Sequence, residues 1–109
     1  MAEVLGLFEQ VVLLAIVRLK DDAYGRAILA EVQARLTREV AAGAIYATLD
    51  RLEAKGLTSS RLGIGTPQRG GRARRFYSIE SAGISALDQS RTATANIWRG
   101  IRLPLKGRT

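Results

Sequence analysis

The sequence predicts a mainly α fold with one small β-hairpin, in the order helix, helix, helix, strand, loop, strand, helix. Three observations predict it. Apolar residues recur at helical spacing through the first half, the period then switches to that of short strands around a Gly-rich loop, and helical spacing returns afterwards.

The first helix is carried by Leu5, Phe8, Val12, Ala15, Ile16 and Leu19, which follow the i, i+3, i+4, i+7 pattern of a buried face. Val11, Leu14 and Val17 add a second apolar face. Two readings fit a helix apolar nearly all round: a central helix of one chain, or a helix shared with a second copy. Asp21 or Asp22 is placed to accept a hydrogen bond at the start of a second helix, on which Ile28, Leu29, Val32 and Leu36 share one face. After a break around Thr37–Val40, the third helix spans about Ala42 to Lys55. Ile45, Leu49 and Leu52 point inward, and Gly56 serves as a left-handed C-cap.

Leu57–Leu62 and Arg74–Ile79 suit short strands, with Tyr77 and Ile79 on one face and Phe76 and Ser78 on the other. Between them, Gly63 to Arg72 is rich in Gly with one Pro and reads as a hairpin loop. A last helix covers Ala82 to about Ile101, with Ile84, Leu87, Ile97, Trp98 and Ile101 apolar. Three helices followed by a two-stranded hairpin make a winged helix-turn-helix, in which the third helix enters a DNA major groove and the loop, or wing, touches the flanking backbone. On this reading residues 1–109 form a single winged-helix unit: 1–79 the nucleic-acid-binding part, 80–101 a dimerisation helix and 102–109 a basic tail.

The charge distribution agrees. The chain of 109 residues carries 17 Lys+Arg against 10 Asp+Glu, a net charge of +7, which suits a polyanionic partner. Residues 1–60 are near neutral, whereas residues 61–109 hold ten basic groups against Glu80 and Asp88 alone. Arg61, Arg69, Arg72, Arg74 and Arg75 follow one another without an acid, at the place a wing would occupy.

Several function classes fall away. With no Cys and no His, the chain has no thiol nucleophile, imidazole acid–base pair or ordinary zinc site, and no cofactor or metal is expected. The Gly-rich loop lacks the P-loop pattern and leads into a strand. Asp21-Asp22, the closest acidic pair, is better explained by helix capping than by catalysis, so no catalytic residue is assigned. The longest apolar run, Val11–Val17, is too short to span a bilayer, and its acidic upstream flank is wrong for a signal peptide, which points to the cytoplasm.

Three separated segments resemble the PadR family of transcriptional regulators. Gly43-Ala-Ile-Tyr-Ala-Thr-Leu-Asp-Arg-Leu-Glu-Ala-Lys-Gly-Leu57 is similar to the family's recognition-helix signature, and Gly70-Gly-Arg-Ala-Arg-Arg-Phe-Tyr-Ser-Ile-Glu-Ser-Ala-Gly83 to its wing and following helix start. Ala23-Tyr-Gly25 resembles the element opening its second helix. Departures lie at helix starts: Ala41 or Ala42 stands for a frequent Ser, Ala47 for a frequent Pro, and Glu80 for a Thr, leaving Ser81 or Ser78 to cap the last helix.

The resemblance implies a sequence-specific regulator of double-stranded DNA, a homodimer on an inverted-repeat operator, acting as a repressor. The residues expected at DNA are Tyr24, Ala42, Gly43, Ala44, Tyr46 and Ala47 around the recognition helix, and Arg69, Gly70, Gly71, Arg72 and Arg74 on or beside the wing. Tyr46 is assigned to a phosphate oxygen, the alternative being a ring half-buried between helix and wing; Tyr24 carries the same two readings. Arg51 is expected to pair inside the fold, with Glu31, Asp50 or Glu53, the alternative being that it reaches DNA. Leu5, Phe8, Val12, Ile97, Trp98 and Ile101 are expected at the dimer interface, with Trp98 anchoring it against the first helix of the partner; the sharper alternative is that two such last helices enclose a cavity for a planar hydrophobic effector at Trp98, as in some multidrug-sensing relatives. The competing readings are a winged-helix module that binds protein, and a basic nucleic-acid-binding protein without operator specificity.

Overall fold

The structure, a computed structural model, describes residues 4–63 and 73–105. Helix α1 (Leu7–Leu19) is followed by a single 3-10 turn (Lys20–Asp22), then α2 (Gly25–Leu36), α3 (Ala42–Ala54), strands β1 (Thr58–Gly63) and β2 (Arg74–Ile79), and α4 (Ser81–Trp98). The order is the one the apolar spacing predicts. The strands pair antiparallel, with Thr58 opposite Ile79 and Gly63 opposite Arg74.

The core sits where the first three helices meet the inner face of the hairpin. Val12, Ile28, Val32, Ile45, Leu49 and Leu52 are fully buried, joined by Tyr77 from β2 and Ala86 from α4. Each large aliphatic side chain so removed from water contributes about 1.5–3 kcal/mol. Leu13 is fully buried too, although it lies off the stripe that marks the inner face of α1 in the sequence. Contact with α2 and α3 on one side and α4 on the other widens the buried arc of α1 to Val11–Leu13 and Ala15–Ile16, leaving Leu7, Leu14 and Val17 exposed.

Connections are closed by local hydrogen bonds. Thr37 takes the left-handed conformation (φ 52°) after α2, and the Gln33 side-chain carbonyl accepts the Val40 N–H at 3.0 Å. Gly56 ends α3 with φ 77°, the C-cap role its sequence position predicts, while the Leu57 N–H reaches back to the Leu52 carbonyl at 3.0 Å.

The expectation that Asp21 or Asp22 caps α2 is corrected. Both lie in the 3-10 turn, and α2 begins at Gly25 with Tyr24 as an extended N-cap that makes no side-chain hydrogen bond. A nonlocal pairing causes the delay: the Ala23 carbonyl accepts the Tyr77 N–H at 2.8 Å and Tyr24 forms an isolated antiparallel bridge with Phe76, which ties this stretch to the edge of β2. Neither Ser81 nor Ser78 caps α4; Glu80 occupies the N-cap position without a side-chain bond.

Helix α4 is buried along Gly83, Ala86 and Ser90, with Leu87 partly buried against the core. The buried Ser90 hydroxyl accepts the Leu5 N–H at 2.8 Å, fastening the segment before α1 to the helix. Beyond Ser90 the helix leaves the body, and the Cα radius of gyration is 16.7 Å, against about 13 Å for a compact chain of this size.

Candidate nucleic-acid interface

Helix α3 presents the surface that its sequence predicts. With Ile45, Leu49 and Leu52 in the core, Ala42, Gly43, Ala44, Tyr46 and Ala47 are all exposed near its N-terminus. No side chain caps that end. Its first N–H groups therefore point outward at the positive end of the helix dipole, a favourable place for an anion. Nothing lies within 4 Å of where a Cβ on Gly43 would stand, so internal packing does not require a small residue there.

Tyr46 is 44% exposed, and its ring lies against Gly25 at the start of α2. A Cβ at position 25 would run into the Tyr46 hydroxyl and ring, so Gly25 is what lets the tyrosine lie down between α3 and α2. Tyr24, next to Gly25, is half-buried and belongs to an aromatic–cationic cluster on the hairpin. Its ring meets Phe76 edge-on at a centroid distance of 5.7 Å and an interplanar angle of 68°. The Arg74 guanidinium stands over the Tyr24 ring at 4.2 Å, and that of Arg61 over Phe76 at 5.2 Å. Tyr46, Gly25, Tyr24, Arg74 and Phe76 thus form a continuous surface from the recognition helix to the base of the wing. Arg69, Gly70, Gly71 and Arg72 lie outside the described residues.

Several basic groups elsewhere are engaged with acids. Arg51 is corrected in its partner: it meets Glu9 of α1 at 4.0 Å and donates to the Thr48 hydroxyl at 3.2 Å, while Lys55 reaches the same Glu9 oxygen at 3.1 Å. Arg18 and Arg35 share Glu31. Arg75 donates to the Ser60 hydroxyl, which itself donates to Glu53. Burial pushes the Tyr77 phenol above its ordinary range. Among the described residues, no group of three or more His, Cys, Asp or Glu is arranged to hold a metal, and no helix is long and apolar enough to cross a membrane.

The six residues expected at a dimer interface divide. Val12 is fully buried and Leu5 nearly so within their own chain, which corrects their assignment: core contacts already use the surface a partner would need. Phe8 is half-buried against the same core. Ile97 and Trp98, at the far end of α4, and Ile101, just beyond it, are 74%, 51% and 58% exposed. An apolar groove of about 1040 Å³ runs between α1, β2 and α4, with Leu14, Val17, Ile84 and Leu87 in its walls and Lys20 and Arg91 at its edges; Trp98 does not line it.

The profile of the transcriptional regulator PadR-like family matches residues 13–89, from within α1 to the middle of α4. Among solved structures, the chain is similar to a PadR-like transcription factor of Bacteroides fragilis, at 22% identity over 84% of each chain and a TM-score of 0.68. It is also similar to RosR of H. salinarum, at 22% identity over 90% of this chain and 81% of that one, with a TM-score of 0.67. A PadR family transcription regulator of Clostridium difficile is 27% identical over 83% of this chain and 90% of that one, with a TM-score of 0.62. No curated protein matches the chain. With three helices, a paired hairpin and a matching family profile across most of its length, the chain belongs to the PadR-like family of winged helix-turn-helix, DNA-binding transcriptional regulators.

Proposed function

We propose that the protein is a cytoplasmic, homodimeric repressor that binds an inverted-repeat operator in double-stranded DNA and is released by a planar hydrophobic effector. The observation that carries the DNA contact is the continuous surface joining the exposed, uncapped start of α3 to Tyr46, Tyr24 and Arg74. Ala42, Gly43, Ala44 and Ala47 let the helix approach the groove closely. With so few side chains able to make bidentate base contacts, the protein reads thymine methyls and DNA shape. Tyr46 and Tyr24 bind phosphate oxygens, and Arg69, Gly70, Gly71, Arg72 and Arg74 bring the wing to the flanking backbone.

Dimerisation rests on the apolar end of α4. Ile97, Trp98 and Ile101 present large apolar surface with no cover in their own chain, and Leu7, Leu14 and Val17 do the same on α1. Two such copies place their recognition helices about one DNA turn, ~34 Å, apart. Trp98 then faces the effector between protomers.

Selecting bound duplexes from a random pool, followed by competition and salt titration, tests the reading. An inverted repeat is expected to outcompete bulk duplex by orders of magnitude at physiological salt. Log K is expected to fall with log salt, by about 0.9 for each phosphate neutralised. A slope near zero rules the DNA contact out. Trp98 fluorescence that stays unchanged across planar drugs and phenolic acids rules out the effector.

A further inference from the structure

We propose that Arg61, on strand β1 and outside the wing loop, is a phosphate-binding residue paired with Arg74, and that Phe76 is the positioning residue that holds its guanidinium ready. The inference rests on the DNA-binding reading above and adds to it a residue that acts from the strand.

The register places the parts. Arg61 stands opposite Phe76 and Gly63 opposite Arg74, so these four residues share one face of the hairpin. On that face the contacts run in sequence: the Arg61 guanidinium over the Phe76 ring, the Phe76 ring against the edge of Tyr24, and the Tyr24 ring under the Arg74 guanidinium. Two cations thus flank two rings. The Phe76 ring keeps its place because position 63 has no side chain: a Cβ there would stand 2.6 Å from a ring carbon, closer than side chains tolerate. An aromatic lying over a cross-strand glycine is a recognised way of filling that space. Here it also offers a ring face to the guanidinium of Arg61.

A guanidinium held against a ring keeps its N–H donors at its perimeter, free for bidentate hydrogen bonds to a phosphate. Among the described residues, Arg61 and Arg74, like Arg26, Arg38, Arg75, Arg99 and Arg102, make no ion pair with a carboxylate, whereas Arg18, Arg35, Arg51 and Arg91 each do. The charge of Arg61 and Arg74 is therefore not neutralised within the fold. The ring contacts restrict both side chains before any ligand arrives, which removes part of the ordering cost that a long side chain otherwise incurs on binding. Both residues sit on the face that runs on through Tyr24 and Gly25 to Tyr46 and α3, the side on which the duplex is proposed to lie.

Fluorescence anisotropy of the selected operator duplex, measured across salt concentrations, tests the proposal with Arg61→Gln, Arg61→Lys, Phe76→Leu and the Arg61→Gln/Phe76→Leu pair. Arg61→Gln is expected to flatten the log K against log salt slope by about 0.9, the signature of one lost phosphate contact. Arg61→Lys keeps the charge and loses the planar stack. It is expected to keep the wild-type slope while binding about two- to fivefold more weakly, the range a surface cation–π contact supports. Phe76→Leu is expected to weaken binding by a similar factor, Phe76→Trp to restore it, and the double variant to bind no more weakly than Arg61→Gln alone. The proposal is overturned if Arg61→Gln keeps the wild-type slope, or if Phe76→Leu adds its full loss on top of Arg61→Gln. Should Phe76→Leu melt the hairpin, the two Arg61 variants decide alone, since the exposed Arg61 side chain leaves the core untouched. A flat slope in the wild-type protein overturns the DNA-binding reading itself, whereas a normal wild-type slope unchanged by Arg61→Gln overturns only this inference.

Discussion

Two glycines separate what the fold needs from what the DNA surface needs. Gly83 is buried in the first turn of α4, where a Cβ would meet the Leu57 carbonyl oxygen and stand 2.8 Å from an Ile79 side-chain carbon. A backbone carbonyl cannot swing aside as a side chain does, so Gly83→Ala is expected to lose about 1–3 kcal/mol in a urea melt. Gly43→Ala enters open space and is expected to stay within about 0.5 kcal/mol of the parent while weakening operator binding, because its methyl group would stand on the surface proposed to meet the groove. An unchanged melt for Gly83→Ala would contradict the packing described. At this scale the sequence was legible where burial follows the helix period, as for Ile45, Leu49 and Leu52. It was silent where a partner is distant: that Arg51 and Lys55 converge on Glu9 depends on how α1 crosses α3.

Helix starts are the weak points of this molecule. Among the helices described, α1, α2, α3 and α4 all begin without a side-chain cap. For α3 this leaves the first N–H groups free for a phosphate at some cost in stability. Ala41→Ser supplies the missing oxygen and is expected to stabilise the protein by about 1 kcal/mol in thermal melts. The same serine would compete with a phosphate for those N–H groups, so operator affinity is expected not to rise with stability. A variant that gained both would show that the helix end does not meet the DNA. Element type and order were readable from apolar spacing. The start of α2 was not, because the pairing of Ala23 and Tyr24 with β2 joins residues some fifty positions apart, and no local signal competes with the pair of aspartates just before it.

The whole molecule is longer than its core requires, with extents of 56 × 36 × 21 Å, because the second half of α4 buries almost nothing in its own chain. Replacing the apolar end with charge tests what covers it. Ile97→Lys combined with Trp98→Lys is expected to convert a dimer to a monomer in sedimentation, to leave the helical circular dichroism of the body in place, and to abolish preference for an inverted repeat over a single half-site. A variant that still sediments as a dimer would place the interface elsewhere. The sequence marked Ile97, Trp98 and Ile101 for this role as apolar residues late in the last helix, and marked Leu5 and Val12 with them. An apolar stripe alone does not say whether its own chain or a neighbour will cover it.

The hydrogen bond from the Leu5 N–H to the Ser90 hydroxyl lies at the fulcrum of a lever. Beyond Ser90, eight residues of α4 make a free arm about 12 Å long, so a tilt of about 15° there carries the tip ~3 Å. That is close to the ~3.4 Å rise of a single base step in the duplex. In the proposed dimer, one buried hydroxyl therefore sets the gauge of the two reading heads, and slackness there would be read on the DNA as tolerance for half-sites one base pair too near or too far.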